Sequence, residues 1–376
     1  MECTSTDHST PSSLLGTPRH PVSPQPHQSS PIPRRHQALP FQDMEVVLEG
    51  SEMPISVVKF AAASSDLLAL GDEGGQVRLV QLGTEAQVIQ ILEHEAGVAD
   101  LDWSASNSSV LTCCEDGVVV IWSDGPEGWS CVRTFQMTGS ATCCRYHPLN
   151  ENFLIVGSAL GSVCAINSST GATVSEYILQ TSSPEGVFAA ALECTETLAF
   201  VGDSRGHLVV LDCSFGMSRT VPPLTLVTRC HPPTRERVPV LSVQHMTHED
   251  LPQESTVLTY QADGCTSLWR VLCAPGRAPR VTRRLKAMIP APSRYTNAIF
   301  CSIRPTTNPT EMVALGCLHP GLTLYNLGDL NESLHPAAVM QIQGHLSPVV
   351  ALSWSPNQRV LAAGDVEGSL IIWHTK

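Results

Sequence analysis

Charged side chains are scarce in this chain of 376 residues: Asp, Glu, Lys and Arg together make up 15%, against about 25% in ordinary soluble proteins. Aromatic residues supply only 5%. So few charges argue against long solvent-exposed helices, and the 26 glycines and 28 prolines favour many short strands joined by turns. The composition therefore predicts a fold dominated by β-structure.

Cations are the scarcer sign of charge, since 22 Lys and Arg face 35 Asp and Glu and leave a net charge of −13. Binding to phosphates requires a cationic surface. A nucleic-acid interface over the whole molecule is therefore excluded, and contact with nucleic acid is expected to be weak or indirect at most.

Long apolar runs are missing as well. No stretch of about 18 apolar residues, the length of a membrane-spanning helix, occurs in the sequence, and Met1-Glu2-Cys3 does not begin a signal peptide. The 14 cysteines form no Cys-x-x-Cys pair and lie in apolar runs, as Cys113 and Cys114 do, which indicates reduced, buried thiols. We expect an intracellular protein, nuclear or cytoplasmic or both, without a membrane partner.

Residues 1–43 differ in composition from the rest of the chain. The first 40 residues hold eight Pro, seven Ser and four His, which is too little apolar surface to offset the entropy of ordering, so this segment is expected to be a disordered tail. Four Ser/Thr-Pro steps make it a candidate target of proline-directed phosphorylation, although Pro-rich segments also collect such steps by chance. The candidate phosphorylation sites are Thr10, Thr17, Ser23 and Ser30.

From Glu45 onward the sequence repeats. Three short apolar strands with a Gly-containing turn recur seven times, with the turn position spaced by 42, 44, 45, 58, 56 and 48 residues. Strand-turn patterns of this period predict four-stranded blades. We therefore predict a seven-bladed β-propeller over residues 44–376, in which a strand near 45–50 completes blade seven, because that blade otherwise ends without its outer strand.

The turn and strand-end residues resemble those of the WD40 repeat family. Those that carry the likeness are His94, Asp116, Trp122, Asp263, Trp269, His345, Glu367 and Trp373. The resemblance implies that His, Asp and Trp link strands within a blade, with Glu367 at the Asp position of the last blade. A narrower likeness to one type of member rests on residues 143–148, 166–171 and 202–206. The resemblance implies a non-enzymatic, monomeric scaffold that works in nuclear or cytoplasmic regulatory complexes.

No residue pattern in the sequence predicts catalysis, a metal site or a cofactor. His245 and His248 form a His-x-x-His pair without a third ligand, which favours a surface pair over a metal site. The innermost strands carry small or apolar residues, among them Val58, Ala99, Ala190 and Ala351, so a neutral central channel is expected. Two alternatives stay open: an enzyme or small-ligand binder that uses the channel, and a ubiquitin-ligase substrate adaptor, although the expected Trp-Asp-x-Arg ending is missing.

Two features are candidates for partner binding. Trp129 falls outside the repeat register and is expected to be exposed. Residues 264–310 contain no acid but eight cations, while the other residues hold 14 cations and all 35 acids. The candidate contacts are Arg270, Arg277, Arg280, Arg283, Arg284, Lys286 and Arg294, followed by Arg304. They predict binding of an acidic or phosphorylated protein segment, the alternative being a solvated outer strand.

Overall fold

The computed structural model describes residues 41–49, 53–179, 186–214, 223–231, 237–247, 253–274, 277–289, 298–303, 310–316, 321–326, 338 and 340–375. The predicted tail and its four phosphorylation candidates, as well as His248, Arg294 and Arg304, lie outside the described residues. In the part of the chain that the structure describes, no helix is long and apolar enough to span a membrane.

The described residues form 28 strands arranged in seven four-stranded antiparallel sheets. Blade one consists of β2 (Ile55–Phe60), β3 (Leu67–Asp72), β4 (Gln76–Gln81) and β5 (Gln87–Glu93), and blade two of β6 (Val98–Trp103), β7 (Ser109–Cys114), β8 (Val118–Gly125) and β9 (Gly128–Gln136). Blade three consists of β10 (Ala141–Tyr146), β11 (Phe153–Ser158), β12 (Ser162–Asn167) and β13 (Thr173–Ile178). Blade four consists of β14 (Ala189–Cys194), β15 (Leu198–Asp203), β16 (Leu208–Asp212) and β17 (Thr225–Cys230).

Blade five consists of β18 (Val240–Thr247), β19 (Glu254–Gln261), β20 (Cys265–Leu272) and β21 (Arg280–Met288). Blade six consists of β22 (Ala298–Ile303), β23 (Thr310–Gly316), β24 (Leu322–Asn326) and β25 (Met340–Ile342). Blade seven consists of β26 (Val349–Trp354), β27 (Val360–Asp365) and β28 (Leu370–Thr375), joined by β1 (Phe41–Leu48). The seven-bladed all-β propeller predicted from the repeat is confirmed.

The ring is closed by a strand from the other end of the chain. β1 pairs antiparallel with β28, from Phe41 opposite Thr375 to Leu48 opposite Leu370. The strand begins three residues inside the 1–43 segment that composition assigns to the tail. The reason is the Phe41 ring, which stacks on Trp354 with 6.1 Å between ring centroids and so extends the ordered chain. The Glu45 carboxylate accepts a hydrogen bond of 2.8 Å from the Ala86 N–H of blade one.

Neighbouring blades approach so closely that one position of the second strand holds glycine in four of them. A Cβ added at Gly71 or Gly202 would lie 2.7 or 2.6 Å from a valine side chain at the start of the next blade. Gly157 and Gly364 occupy the same position and meet Ala189 and Ile55 in the same way. This contact allows the second strands to be buried on both faces, as β11, β15 and β27 are throughout.

A buried acid holds the tight turn after the second strand. In blade seven this acid is Asp365, whose Oδ1 accepts hydrogen bonds from the N–H groups of Glu367 (3.0 Å) and Ser369 (2.8 Å). Its Oδ2 lies 2.8 Å from Nδ1 of the buried His345. Glu367 stands directly before the turn glycine, as Asp116 and Asp263 do in their blades, but its side chain is exposed. In blade seven the acid that binds the turn is instead Asp365, two residues earlier.

Opposing effects set the ionisation of Asp365. Burial tends to raise the pKa of its carboxyl, but the hydrogen bonds from His345, Ser369 and Glu367 outweigh burial and hold that pKa below its ordinary value. Asp116 and Asp263 lie two residues later in their turns than Asp365 does. Each accepts a hydrogen bond of 2.9 Å from the backbone N–H two residues on.

In blades two and five the Trp near the end of the third strand donates a hydrogen bond to a Thr of the second strand. In blade two, Trp122 Nε1 donates to Thr112 Oγ1 at 3.0 Å, and the same oxygen lies 3.0 Å from His94 Nε2. Burial lowers the pKa of His94, and the charge of Asp116 opposes this effect. In blade five, Trp269 Nε1 donates to Thr259 Oγ1 at 2.9 Å.

Blade seven lacks the hydroxyl of this arrangement. Ala363 stands where blade two has Thr112, as the paired register shows. Among the described residues, Trp373 Nε1 has no hydrogen-bond partner, and the buried Trp373 ring packs 5.6 Å from His345. Blade seven therefore keeps the His–acid pair, whereas blade two keeps the His–Thr–Trp chain.

Deleting residues 1–50 should lower the melting temperature sharply, because it removes β1 and leaves the edge of β28 unpaired. Deleting residues 1–40 leaves β1 intact and should change the melting temperature little. Circular dichroism melts of the two deletions and the full chain provide the comparison. Equal melting temperatures for both deletions would contradict a closing role for β1.

Trp373→Ala should destabilise the chain by about 3–5 kcal/mol, the usual cost of removing a buried large side chain. His345→Ala should cost less, about 1–3 kcal/mol, since it removes one buried hydrogen bond to Asp365 while the backbone bonds of that acid remain. Urea unfolding of both variants measures the difference. An equal or larger loss for His345→Ala would show that the His–acid pair, rather than Trp packing, dominates blade seven.

Candidate functional site

The innermost strands surround a cavity of about 780 Å³ at the centre of the ring. Side chains from β2, β6, β10, β14, β18 and β26 line it; those of β22 are not among the described side chains. The cavity wall runs from Pro54, just before a first strand, and Val366, in the turn after a second strand, to Trp354 and Gln358, at the turn after a first strand. The cavity, which we call the channel, therefore extends along the innermost strands from one end to the other.

One register position carries most of the polarity of the channel. The fifth residue of each innermost strand forms a ring that we call the polar girdle. Its described members are Lys59, Asp102, Arg145, Glu193, Gln244 and Ser353. The sign of charge alternates through blades one to four, which places Lys59 beside Asp102 and Arg145 near Glu193.

The girdle joins consecutive blades. Lys59 Nζ lies 2.6 Å from Asp102, and Arg145 lies 2.6 Å from Asp100, two residues earlier in the same strand as Asp102. Arg145 Nε also lies 3.9 Å from Glu193. Burial disfavours the Arg145 cation, but Asp100 and Glu193 outweigh it and raise the pKa of that guanidinium above its ordinary value. Ser353 completes the series by accepting the Phe60 N–H at 3.0 Å.

Two hydroxyls make similar links nearer the start of the innermost strands. Thr142 Oγ1 donates at 2.6 Å to the carbonyl of Ala189, the first residue of the next blade. Ser56 Oγ makes the same bond to the carbonyl of Val98. The channel wall is thus a set of side chains that connect each blade to its neighbour.

The predicted small, apolar lining describes part of the channel wall: Val58, Ala99 and Ala190 line it, whereas Ala351 is buried with 1% exposure. The charged residues of the girdle depart from that prediction. The physical reason is an irregularity of pairing near the start of each described innermost strand except β22. It shifts the alternation of side chains and turns the fifth residue toward the channel.

Catalytic or metal chemistry gains no support from the described residues. No group of three His, Cys, Asp or Glu among them is placed to hold a metal ion. His245 stacks on Phe200 with ring centroids 5.8 Å apart, at the end of the channel wall. In the girdle, each charged side chain is close to one of opposite charge, which suits a structural link better than a proton-transfer site.

The basic residues of blade five lie mainly along its outer strand, β21. Arg280, Arg283 and Arg284 belong to this strand and are exposed, as is Arg277 just before it. These four residues form what we call the basic edge. Arg270, on the adjacent β20, is exposed and forms an ion pair with Glu254; the side chain of Lys286 is not among those described.

Two neighbouring arginines of the basic edge differ in their surroundings. The Arg283 guanidinium lies over the Trp269 ring, 5.8 Å from its centroid. Arg284 falls at the pairing irregularity between β20 and β21 and is exposed. Arg283 is therefore partly occupied by a cation–π contact, whereas Arg277, Arg280 and Arg284 present exposed cations.

Trp129 is not the protruding side chain that its sequence context suggests. It lies at the start of β9, half-buried, with its ring edge-on to Trp103 at 5.8 Å. Because Trp103 ends the innermost strand of the same blade, Trp129 packs against the blade rather than extending from it. This packing corrects the expectation of an exposed binding residue.

The polar girdle itself was not anticipated. Its signal in the sequence is an alternation of charge at the fifth residue of successive innermost strands, Lys59, Asp102, Arg145 and Glu193. This alternation is visible only when the blades are aligned on their paired strands, because the pairing irregularity at the start of the innermost strands shifts which residues face the channel.

Comparison with known proteins identifies two of the repeats. The family described as "WD domain, G-beta repeat" matches residues 86–123 and 337–374. Each matched stretch begins near the outer strand of one blade and ends at the Trp of the next. The repeat in sequence is therefore offset from the blade in space, so that each unit spans the boundary between neighbours.

Curated relatives match over shorter parts of their length. The chain is 32% identical over 81 residues to polyadenylation factor subunit 2 of Candida albicans, which is 22% of this chain and 14% of that protein. It is 30% identical over 113 residues to WD repeat domain 54 of Rattus norvegicus, 27% of this chain and 33% of that protein. The chain thus spans a third or less of these relatives.

A solved structure agrees over most of the fold. The β-propeller domain of Cps50 (Swd1) from Myceliophteria thermophila has a TM-score of 0.66 and 17% identity, with 89% of this chain and all of that one covered. At that identity the likeness concerns the fold alone. The narrower likeness to WD repeat-containing protein 13 stays a prediction. Two repeats of this seven-bladed chain thus match the WD40 repeat family, and the chain is similar over part of its length to WD repeat proteins.

Proposed function

We propose that this protein is a non-enzymatic interaction scaffold whose basic edge on blade five binds an acidic or phosphorylated segment of a partner protein. The observation that carries the proposal is the exposure of Arg277, Arg280 and Arg284 on one outer strand of a molecule with a net charge of −13. WD40 propellers are typical protein-interaction platforms, and this edge gives the platform a chemical preference.

Charge separation favours this surface over a merely solvated strand. The stretch from Gly264 to Thr310 has eight cations and no acid, so all 35 acids lie elsewhere. An anionic partner is therefore repelled by most of the molecule and attracted to one edge, which fixes its orientation as it approaches. Guanidinium groups bind carboxylates and phosphates in pairs of hydrogen bonds, which suits an acidic or phosphorylated segment.

The candidate phosphorylation sites supply a regulator of the same surface. Phosphates on Thr10, Thr17, Ser23 and Ser30 would bring about −6 to −8 charges in all, close to the charge of the basic stretch. In this proposal the phosphorylated segment competes with the partner. The setting is a regulatory complex of the nucleus or cytoplasm, with the propeller as a monomeric component.

Replacing Arg277, Arg280 and Arg284 together by Ser should weaken binding of a Glu- and phosphoserine-rich peptide by about tenfold or more and flatten its salt dependence. Fluorescence anisotropy at several NaCl concentrations measures both quantities. The matched control replaces three exposed arginines elsewhere, Arg133, Arg237 and Arg359, and so changes the net charge equally. If the control weakens binding as much, net charge rather than the basic edge is responsible.

A second candidate function is small-ligand binding in the channel. The observation that favours it is the convergence of Lys59, Asp100, Arg145 and Glu193 on a cavity of about 780 Å³, a volume within the usual range of ligand pockets. The charges already pair across blades, however, and this pairing explains them without a ligand.

The two roles of the girdle predict different behaviour of Arg145→Met. If the charges join the blades, the variant leaves the half-buried Asp100 without its cation. It should then lose stability, up to the roughly 3–5 kcal/mol of a broken buried pair. The double variant with Asp100→Asn should recover part of that loss. Urea unfolding of the single and double variants measures it. Unchanged stability in Arg145→Met would contradict a structural role and favour the ligand site.

A further inference from the structure

Two cysteine sulfurs in blade four are close enough to react with each other. Cys194 ends the innermost strand β14, and Cys213 follows directly after the third strand β16. Their Sγ atoms are 3.8 Å apart, and both lie near the same acceptor, the Thr195 carbonyl, at 3.3 and 3.8 Å. A disulfide requires about 2.05 Å between sulfurs, so the two sulfurs must approach each other by nearly 2 Å.

The position of Cys194 explains why the pair can form. It is the sixth residue of its innermost strand, where the other blades with described side chains place a ring: Phe60, Trp103, Tyr146, His245 and Trp354. A thiol is much smaller than a ring, so in blade four the small Cys194 side chain leaves room for Cys213 to contact it. Cys194 is half-buried and Cys213 fully buried, so Cys194 is the part of the pair in contact with solvent.

We infer that Cys194 and Cys213 form a peroxide-reactive dithiol that closes reversibly to a disulfide within blade four. The Cys213 thiolate attacks one oxygen of hydrogen peroxide, which gives a sulfenic acid on Cys213 and releases hydroxide, protonated to water. The Cys194 thiol then attacks the Cys213 sulfur, the S–O bond breaks, and a second water leaves with the proton of Cys194. Two thiols and one peroxide thus become one disulfide and two waters.

The surroundings of Cys213 favour it as the nucleophile. The hydrogen bond from Cys194 lowers the pKa of the Cys213 thiol to about 7, against the effect of burial, and His147 acts in the same direction. The thiolate is the reactive form of cysteine. The same hydrogen bond, together with burial, raises the pKa of Cys194, which makes Cys194 the resolving thiol.

Closure would be transmitted to the boundary between blades three and four. His147, in the first turn of blade three, has its Nε2 3.2 Å from the Cys213 carbonyl and 3.1 Å from the Glu196 carbonyl. Drawing Cys213 toward Cys194 displaces the first of these acceptors. The disulfide is therefore expected to alter this blade contact, and a change at His147 reports on it.

The test treats the full chain with hydrogen peroxide, alkylates the remaining thiols and maps the peptides by mass spectrometry. A Cys194–Cys213 disulfide should form before other modification, at a rate that rises with pH through about 7, and dithiothreitol should reverse it. The internal control is the hydrogen-bonded pair Cys113 and Cys144, both fully buried with raised pKa values, which should stay reduced.

Single variants distinguish the roles of the two thiols. Cys194→Ser should leave a sulfenic acid on Cys213 that dimedone traps, whereas Cys213→Ser should make Cys194 far less reactive. The exposed thiols of Cys131 and Cys273 give the benchmark for unassisted oxidation. The inference is overturned if the pair reacts no faster than this benchmark, if Cys113 and Cys144 close at the same rate, or if the chain forms only intermolecular disulfides.

The effect on the fold provides an independent readout. The oxidised wild type should melt several degrees higher than the reduced form, because the bond restricts the unfolded chain, and the His147 ring signals should shift in the NMR spectrum. Both changes should be absent in Cys194→Ser. A disulfide that forms without either change would overturn the proposed coupling to the blade boundary.

Discussion

The structure depends on closing the ring. A blade is a sheet with two apolar faces, and only a neighbour on each side can cover both, as the complete burial of β11, β15 and β27 shows. An open arc would expose one apolar face at each end and the unpaired edge of β28. The pairing of β1 with β28 removes both defects at once. The stability of every blade is thereby tied to a short strand that precedes the first repeat.

Closeness between blades explains which residues the repeat retains. The glycine position shared by Gly71 and Gly202 leaves no room for a side chain, and the turn acids such as Asp365 satisfy backbone N–H groups that the tight turn would otherwise bury unpaired. The His–Thr–Trp chain is dispensable by comparison, since blade seven has Ala363 in place of the hydroxyl and still forms its sheet. Close packing between blades therefore contributes most of the stability of a blade, and the polar links add to it.

This balance explains what the sequence could predict. The turn period and the Trp positions follow from local geometry, so blade number and strand order were accessible from the residues alone. The role of Asp365 in blade seven was missed because Asp365 and Glu367 stand two residues apart in the same turn, and only the direction of the N–H groups distinguishes them. The polar girdle was missed because the pairing irregularity moves Lys59 and Arg145 into the channel, and because their partners lie in another blade.

The same kind of side chain serves two purposes according to its surroundings. Arg145 lies in the channel wall beside Asp100 and Glu193, where low solvation makes an unpaired charge costly and pairing obligatory. Arg284 lies on an outer strand, where water screens it and no such constraint applies, so its charge is available to a partner. The fold thus uses paired charge at its centre to join blades and exposed charge at its rim for recognition. Because the rim is the least constrained part of each blade, β21 can accumulate arginines without cost to the core, whereas a single unpaired cation in the girdle would weaken two blades at once.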